Sequence, residues 1–120
     1  MSDKELTYAN IEKKLLAVLP EFEVAYRDEL KKYASGLPNS VFGLLTQYVV
    51  DEYRRGFIGP DTPFDRAIHF LEEAMGAKDV EVQNLVWVSF LENLHIAEDD
   101  FEGIKARLGP KLRATLKKLV

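Results

Sequence analysis

The 120-residue sequence predicts an all-α fold, a compact bundle of about six or seven short helices in a single domain over residues 1–120. Apolar residues recur every three or four positions through most of the chain, which is the spacing of a helix face. Proline and glycine stand between these stretches, where helices begin and end. With 47% hydrophobic residues at a size common for one domain, the chain has enough apolar material for a single core.

Two helices are predicted in the first third of the chain. Apolar residues keep helical spacing from Thr7 to Leu19, and Pro20 both stops this helix and begins the next. The second helix extends to a break at Gly36 and Pro38. The residues expected to face the core are Tyr8, Ile11, Leu15, Val18 and Leu19 in the first helix, and Phe22, Tyr26, Leu30 and Tyr33 in the second.

A third helix is predicted from residue 39 or 40 to residue 56, and a fourth over 62–76. The fourth has the clearest start, because Thr62 can cap it, Pro63 suits its first turn and Asp65 complements the helix dipole. The residues expected to face the core are Val41, Leu44, Leu45, Tyr48 and Val49, followed by Phe64, Ala67, Ile68, Leu71 and Met75.

The segment 80–94 is predicted to be a buried helix capped by Asp79, because it carries no charge from Val82 to Leu91. A strand is the alternative, since several of its residues are valines that partly alternate. The sequence Phe-Leu-Glu at 90–92 repeats the one at 70–72. The fourth and fifth helices are therefore interpreted either as one HEAT-like hairpin or as two amphipathic helices that share a motif by coincidence.

The sign of the charge changes along the chain. All 20 acidic residues lie at or before Glu102, and the last 16 residues carry six cations and no anion. A sixth helix is expected from Glu98 to Leu108, and a basic seventh helix after Gly109 and Pro110, packed against the acidic body of the protein. The residues expected to face the core are Phe101, Ile104 and Leu108, and then Leu112, Leu116 and Leu119.

Three classes of function are not expected. The acidic body repels phosphate backbones, and no uncharged apolar run approaches the roughly 20 residues that span a bilayer, so neither nucleic acid nor a membrane is expected as a partner. Glu92 and His95 have the spacing of di-iron sites, but such a site needs this motif twice, and His69 and Glu72 occur in the reverse order. One helix face with Asp65, His69, Glu72 and Glu73 is interpreted as solvated.

Catalysis is not expected either, because the chain has no phosphate-binding glycine loop, nucleophile elbow or metalloprotease motif, and it has no cysteine. We therefore expect no enzyme activity, no catalytic residue, no metal and no cofactor. Recognition through a charged surface is the remaining interpretation.

Two segments are candidate partner-binding sites. The loop from Gly56 to Asp61 carries Phe57 and Ile58 where surface exposure is expected, and exposed apolar residues are candidate anchors; the alternative is that Phe57 folds back into the core. An acidic rim around this loop is expected from Asp51, Glu52, Asp61 and Asp65. The second segment is the acidic cluster of Glu98, Asp99, Asp100 and Glu102, whose excess charge would steer a basic partner.

Three stretches, 64–75, 82–94 with Phe90-Leu91-Glu92-Asn93-Leu94, and Leu108-Gly109-Pro110-Lys111-Leu112, resemble a group of small all-α bacterial proteins of unassigned function. Proteins of this kind are often encoded beside secreted toxins and are suspected immunity proteins. The resemblance implies a protein that inhibits a cognate toxin by covering its basic cleft with an acidic surface. It transfers no catalytic residue to this chain.

The leading hypothesis from the sequence is a non-enzymatic, protein-binding immunity protein that neutralises a basic toxin domain. The alternative is a helical adaptor or regulatory protein, or a homodimeric scaffold that assembles through the apolar residues of the fifth helix, so both monomer and homodimer are open. A polar N-terminus without a signal-peptide pattern and the absence of cysteine favour the cytoplasm.

Overall fold

The fold is built from short helices that meet at prolines, glycines and short turns. The computed structural model describes residues 5–32 and 38–119 and has no strand within these ranges, which confirms the all-α prediction. Between α6 and α7 the chain forms a π-helical turn over Trp87–Leu91 and 3-10 turns over Glu92–Asp100. The α-helices are α1 (Ile11–Val18), α2 (Pro20–Ala25), α3 (Arg27–Lys32), α4 (Pro38–Arg54), α5 (Pro63–Met75), α6 (Val80–Val86), α7 (Phe101–Lys105) and α8 (Pro110–Leu119).

The N-terminal helices differ from the prediction at two points. Helix α1 begins at Ile11 and not at Thr7, because Thr7 and Asn10 close a turn in which each side chain accepts the other residue's backbone N–H, at 3.3 and 2.9 Å. The predicted second helix is broken at Tyr26, whose ring packs against Phe22 and Tyr48. The predicted positions Tyr33 and Gly36 lie outside the described residues.

Three predicted helix starts are confirmed. Pro20 occupies the first position of α2, and the Thr62 hydroxyl accepts the backbone N–H of Asp65 at 3.2 Å at the start of α5. The Asp79 carboxylate caps α6 by accepting the N–H of Glu81 at 2.9 Å, and it also accepts the N–H of Tyr8 at 2.9 Å. Asp79 therefore ties the N-terminal segment to α6 as well as starting that helix.

The segment 80–94 is helical, so the strand alternative is wrong, but its α-helical part ends at Val86. The π-helical turn that follows redirects the carbonyl of Ser89. This oxygen accepts the hydroxyl of buried Thr46 at 2.8 Å and the side-chain amide of Asn93 at 3.0 Å. Two side chains therefore donate to one carbonyl of the π-helical turn, one from α4 and one from the 3-10 turns.

One apolar core joins all these elements, and α3 contributes to it only the partly buried Leu30. Helix α4 packs against α5, α6, the π-helical turn and the 3-10 turns, and α8 packs against α5. The buried face of α4 is wider than predicted, since Phe42 and Val50 are fully buried beside the expected residues. In α1, Val18 was expected to face the core but is 39% exposed. The Cα radius of gyration is 13.3 Å, close to the value of about 13.6 Å expected for a compact chain of this length.

The sixth helix starts later than predicted. Helix α7 begins at Phe101 and not at Glu98, because Glu98 adopts φ 49° and ψ −112°, which lies outside the helical region and kinks the chain. Leu112 and Leu116 of α8 are buried as predicted, and the side chain of Leu119 lies outside the described residues. None of the described helices is long and apolar enough to cross a bilayer.

The first turn of α8 is capped by a side chain of α5. The Glu72 carboxylate accepts the backbone N–H groups of Lys111 at 2.7 Å and Leu112 at 3.1 Å, and Lys111 Nζ lies 3.9 Å from it. Gly109 makes room for this contact, because a Cβ there would collide with the Glu72 carboxylate. The basic helix thus packs against the body of the protein through leucines and this cap. Within the described residues, no carboxylate lies within 4.0 Å of its other cations, Arg113, Lys117 and Lys118.

Candidate functional site

The end of α4 brings the two candidate segments together. The ring of Tyr53 packs against Phe64 at the start of α5, with 5.9 Å between centroids, and its hydroxyl lies against Gly103 in α7. Arg54 Nε donates to Asp100 Oδ2 at 2.9 Å. The loop 56–61 and the acidic cluster 98–102, which the sequence offered as alternatives, therefore lie at one end of the molecule. We call the exposed surface formed by residues 54–61 and 98–107 the Phe57 surface.

The loop that carries Phe57 is held at both ends by hydrogen bonds. The N–H of Phe57 donates to the carbonyl of Glu52 at 3.1 Å, and the Thr62 hydroxyl donates to the carbonyl of Gly59 at 2.8 Å. Gly56, Gly59 and Asp61 have φ values of 81°, 141° and 65°, so the chain turns sharply here. This path leaves Phe57 55% exposed, which excludes the alternative that it folds into the core.

The second apolar residue of the loop behaves differently. Ile58 is partly buried and packs against the core, so it anchors the loop on the protein while Phe57 points into solvent. Of the two predicted anchor residues, only Phe57 is therefore available to a partner, while Ile58 holds the loop on the protein.

Two of the four carboxylates expected around the loop do not form an exposed rim. Glu52 is only 5% exposed, and its carboxylate lies 3.6 Å from the Arg55 guanidinium, so its predicted place in the rim is wrong. Burial, with the nearby charge of Glu52, raises the pKa of Tyr48 to about 12. Asp51 is half-buried and accepts the side-chain amide of Gln47 at 3.0 Å. Asp61 is exposed and the Asp65 side chain is 40% exposed, so these two remain accessible.

The acidic cluster is divided between paired and unpaired carboxylates. Asp100 pairs with Arg54, and the hydrogen bond between them raises the pKa of the Arg54 guanidinium. Glu102 lies 4.0 Å from Lys105 Nζ. Glu98 and Asp99 are exposed, and no described cation lies within 4.0 Å of either carboxylate. The charge that the cluster presents to solvent is therefore concentrated on these two residues.

Arg54 also fixes the backbone that carries the cluster. Besides Asp100, its guanidinium donates to the carbonyls of Ile96 at 3.3 Å and Ala97 at 3.1 Å. These bonds precede the kink at Glu98, and Ala97 is fully buried. The cluster is thus presented from a segment that is bonded to α4.

A groove of about 540 Å³ lies between the loop, α5 and α7. This volume is within the range of about 300–1,000 Å³ that is usual for small-ligand pockets. Its lining consists of Tyr53, Gly59, Phe64, Asp65, Ile68, Gly103, Ala106 and Arg107. Of these residues, only Asp65 was predicted from the sequence as a site residue. Gly103 was the signal in the sequence that could have indicated this groove, because a glycine inside a helix often marks a place where another element comes close. Here Tyr53 lies against it.

The two histidines lie in separate places. His69 Nε2 is 3.7 Å from Asp65 Oδ2, and His95 Nδ1 is 2.9 Å from the carbonyl of Glu92. Glu72, expected on the same solvated face as His69, is instead used to cap α8. In the part of the chain that the structure describes, no group of three or more histidine or acidic side chains is placed to hold a metal ion. The absence of catalysis, metal and cofactor stays a prediction.

Residues 12–119 match a family described as a domain of unknown function, DUF7674. No curated protein and no solved structure matches the chain. The family description carries no activity, and nothing in these comparisons connects the chain with immunity proteins or with HEAT-type proteins.

Proposed function

We propose that the chain, which belongs to the family DUF7674, is a non-enzymatic domain that binds a protein through the Phe57 surface. The observation that carries the proposal is Phe57 itself, 55% exposed on a loop that hydrogen bonds hold at both ends. Exposed aromatic residues at the centre of an interface often contribute about 2 kcal/mol or more to binding. A loop that is already ordered loses little conformational entropy when it binds.

The charges of the surface favour a basic partner. Carboxylates at this end of the molecule outnumber cations, and Glu98 and Asp99 are exposed without a described ion pair. The accessible carboxylates of the Phe57 surface are Asp61, Glu98, Asp99, Asp100 and Glu102, against the cations Arg54, Arg55, Lys105 and Arg107. An excess of one sign speeds encounter with a partner of the opposite sign and disfavours partners of the same sign.

The finer proposal is that the chain is a cytoplasmic immunity protein of bacteria, whose partner is a basic toxin domain. An ordered acidic surface with an aromatic residue beside a groove suits the cleft of an enzyme that binds an anionic substrate. Binding there would inhibit the toxin by occupying the cleft, with no reaction carried out by this chain.

The test is affinity capture from the native lysate with four tagged variants, followed by binding kinetics on the captured protein. Phe57→Ala should speed dissociation about 30-fold, which corresponds to the loss of an anchor worth about 2 kcal/mol. The matched control is Val24→Ala, because Val24 is 65% exposed on α2. Asp99→Lys should slow association at low salt, and the control Glu81→Lys places the same change on an exposed residue of α6.

The outcomes separate the general from the finer proposal. A partner that dissociates at the same rate from Phe57→Ala and from Val24→Ala contradicts binding through this surface. Immunity predicts in addition that the partner is toxic when produced alone, and that co-production of the unmodified chain, but not of Phe57→Ala, restores growth. A partner that binds through Phe57 without being toxic would support the protein-binding function and contradict the immunity proposal.

The second candidate is a homodimeric scaffold or adaptor that uses the segment 80–94. Most apolar residues of this segment are buried inside the protein, but Val80 is 62% exposed and Val88 is 50% exposed. Light scattering over a range of protein concentrations tests it. A dimer mass that reverts to the monomer mass in Val88→Asp would favour this candidate. A monomer mass at all concentrations would contradict the homodimer.

A further inference from the structure

Residues 5–10, which precede α1, lie on the outside of the protein, and we call them the strap. Leu6 and Tyr8 are partly buried and pack against the core. The first fully buried residue after the strap is Ile11, at the start of α1. The strap therefore covers part of the core without being enclosed by it.

Two clefts border the strap. Residues 5–7 line one of about 400 Å³, opposite the end of α5 and the turn that follows it. Tyr8 lines the other, of about 310 Å³, together with Leu85 of α6 and Val88 of the π-helical turn. Protein interiors leave few voids larger than a water molecule, so the strap is packed more loosely than the core.

Tyr8 makes the contacts that hold the strap to α6 and α4. Its backbone N–H donates to Asp79 Oδ2 at 2.9 Å, and its hydroxyl donates to Asn39 Oδ1 over 3.5 Å, a length at which a hydrogen bond is weak. The ion pair between Glu5 and Lys78 spans 3.9 Å with side chains that are 55% and 92% exposed, so it contributes little. The bond to Asp79 is therefore the strongest of these polar contacts.

Other hydrogen bonds of the strap are internal. Thr7 and Asn10 close their turn through both side chains, and Asn10 Nδ2 donates to the carbonyl of Glu5 at 3.0 Å. These bonds do not depend on contact with α6. The strap can therefore keep its shape and move as one body about its junction with α1.

Asp79 divides its carboxylate between two elements. Oδ1 accepts the N–H of Glu81 at 2.9 Å and caps α6, while Oδ2 accepts the N–H of Tyr8. Loss of one oxygen can therefore release the strap and still leave an acceptor for the cap.

We infer that the strap opens and closes over the side of α6 while the rest of the fold stays intact, with Asp79 as its latch. Opening breaks one charge-assisted hydrogen bond and exposes two side chains that are already partly exposed, so it costs far less free energy than global unfolding. It also removes Tyr8 from the cleft that it shares with Leu85, which is 2% exposed when the strap is closed. The apolar surface beside exposed Val88 thereby becomes larger.

The strap concerns a different part of the protein from the proposed function. It meets α4 at Asn39, in the first turn of that helix, whereas the Phe57 surface begins at Arg54, its last residue.

The experiment is native-state hydrogen exchange of the full chain by NMR, at several urea concentrations below the unfolding transition. The amide of Tyr8 reports opening of the strap, and the amide of Leu71, fully buried in the middle of α5, reports global unfolding. After correction for intrinsic exchange rates, Tyr8 should exchange at least about 100-fold faster than Leu71. Urea should barely change the Tyr8 rate, because opening exposes little surface.

Asp79→Asn tests the latch. Asparagine caps helices as well as aspartate does, but its side chain has one oxygen in place of two. Exchange at Tyr8 should become about tenfold faster, as suits the loss of one hydrogen bond to a charged group, while Leu71 stays unchanged. Asp99→Asn is the matched control, because it makes the same change at an exposed carboxylate and should alter neither rate.

Three results would overturn the inference. A Tyr8 rate that rises with urea in parallel with that of Leu71 would mean that the strap detaches only when the whole protein unfolds. A Tyr8 amide without protection in the unmodified chain would mean that the strap has no closed state. Equal acceleration of both amides in Asp79→Asn would assign the effect to the cap of α6 and not to a latch.

Discussion

The two ends of helix α5 use carboxylates in opposite ways. Near its C-terminal end, Glu72 has a side chain that is only 17% exposed and caps α8 through two backbone N–H groups. Near its N-terminal end, Asp65 is 40% exposed and lies in an open groove. The role of an acidic residue therefore follows from the backbone donors within its reach. Local density of charge in the sequence does not determine it.

The fold also changes the charge asymmetry that the sequence shows. All acidic residues precede the basic last 16 residues of the chain, yet the fold brings the two parts together where Glu72 meets Lys111. On the Phe57 surface, Glu98 and Asp99 are exposed and have no described cation within 4.0 Å. Three pairs of substitutions test this difference between structural and solvent-exposed residues.

The largest effect is expected from the two phenylalanines near the groove. Phe64→Ala should lower the free energy of unfolding by about 3–5 kcal/mol, because Phe64 is 2% exposed in the core. Phe57→Ala should lower it by no more than about 0.5 kcal/mol, as for other surface substitutions. Urea denaturation followed by circular dichroism measures both. Similar losses in the two variants would show that Phe57 is part of the core and not an exposed anchor.

A smaller effect is expected at the structural carboxylate. Glu72→Ala should lower the free energy of unfolding by about 0.5–2 kcal/mol, the usual loss when a helix cap is removed. Glu73→Ala, one position along, is the control, since Glu73 is exposed and makes no described hydrogen bond through its side chain. Thermal and urea denaturation of the pair give the difference. If Glu73→Ala costs as much as Glu72→Ala, the cap from α5 does not stabilise α8.

The smallest effect is expected at the kink of the acidic cluster. Glu98→Gly should raise the free energy of unfolding by about 1 kcal/mol, because a φ of 49° strains a residue that has a side chain but not glycine. Asp99→Gly should give no gain, since Asp99 has no positive φ. Differential scanning calorimetry of the two variants checks this. A loss of stability in Glu98→Gly would contradict strain at this turn.

Features that depend on neighbours in the sequence were predictable. Thr62 and Asp79 cap their own helices and Pro20 starts its own, so the residues that decide these boundaries lie within a few positions of them. The break at Tyr26 and the kink at Glu98 were missed, because packing of the Tyr26 ring and the bonds from Arg54 come from distant residues.

In the candidate site, too, features set by the local sequence were predictable and contacts between distant elements were not. Exposure of a loop with two glycines and a proline could be expected, and Phe57 is exposed. The burial of Glu52 could not be expected from the sequence, because it depends on which face of α4 meets the core. The meeting of the loop with α7 depends on Tyr53 reaching Gly103, a contact between elements that no local pattern records.

The cap from Glu72 has a consequence for the order in which the chain folds. The carboxylate lies 39 and 40 positions before the two N–H groups that it binds. During synthesis α5 leaves the ribosome well before α8, and the last helix can complete its first turn only when it docks on a helix that is already formed. We expect α8 to join late, so that loss of the cap mainly accelerates unfolding and leaves the rate of folding almost unchanged.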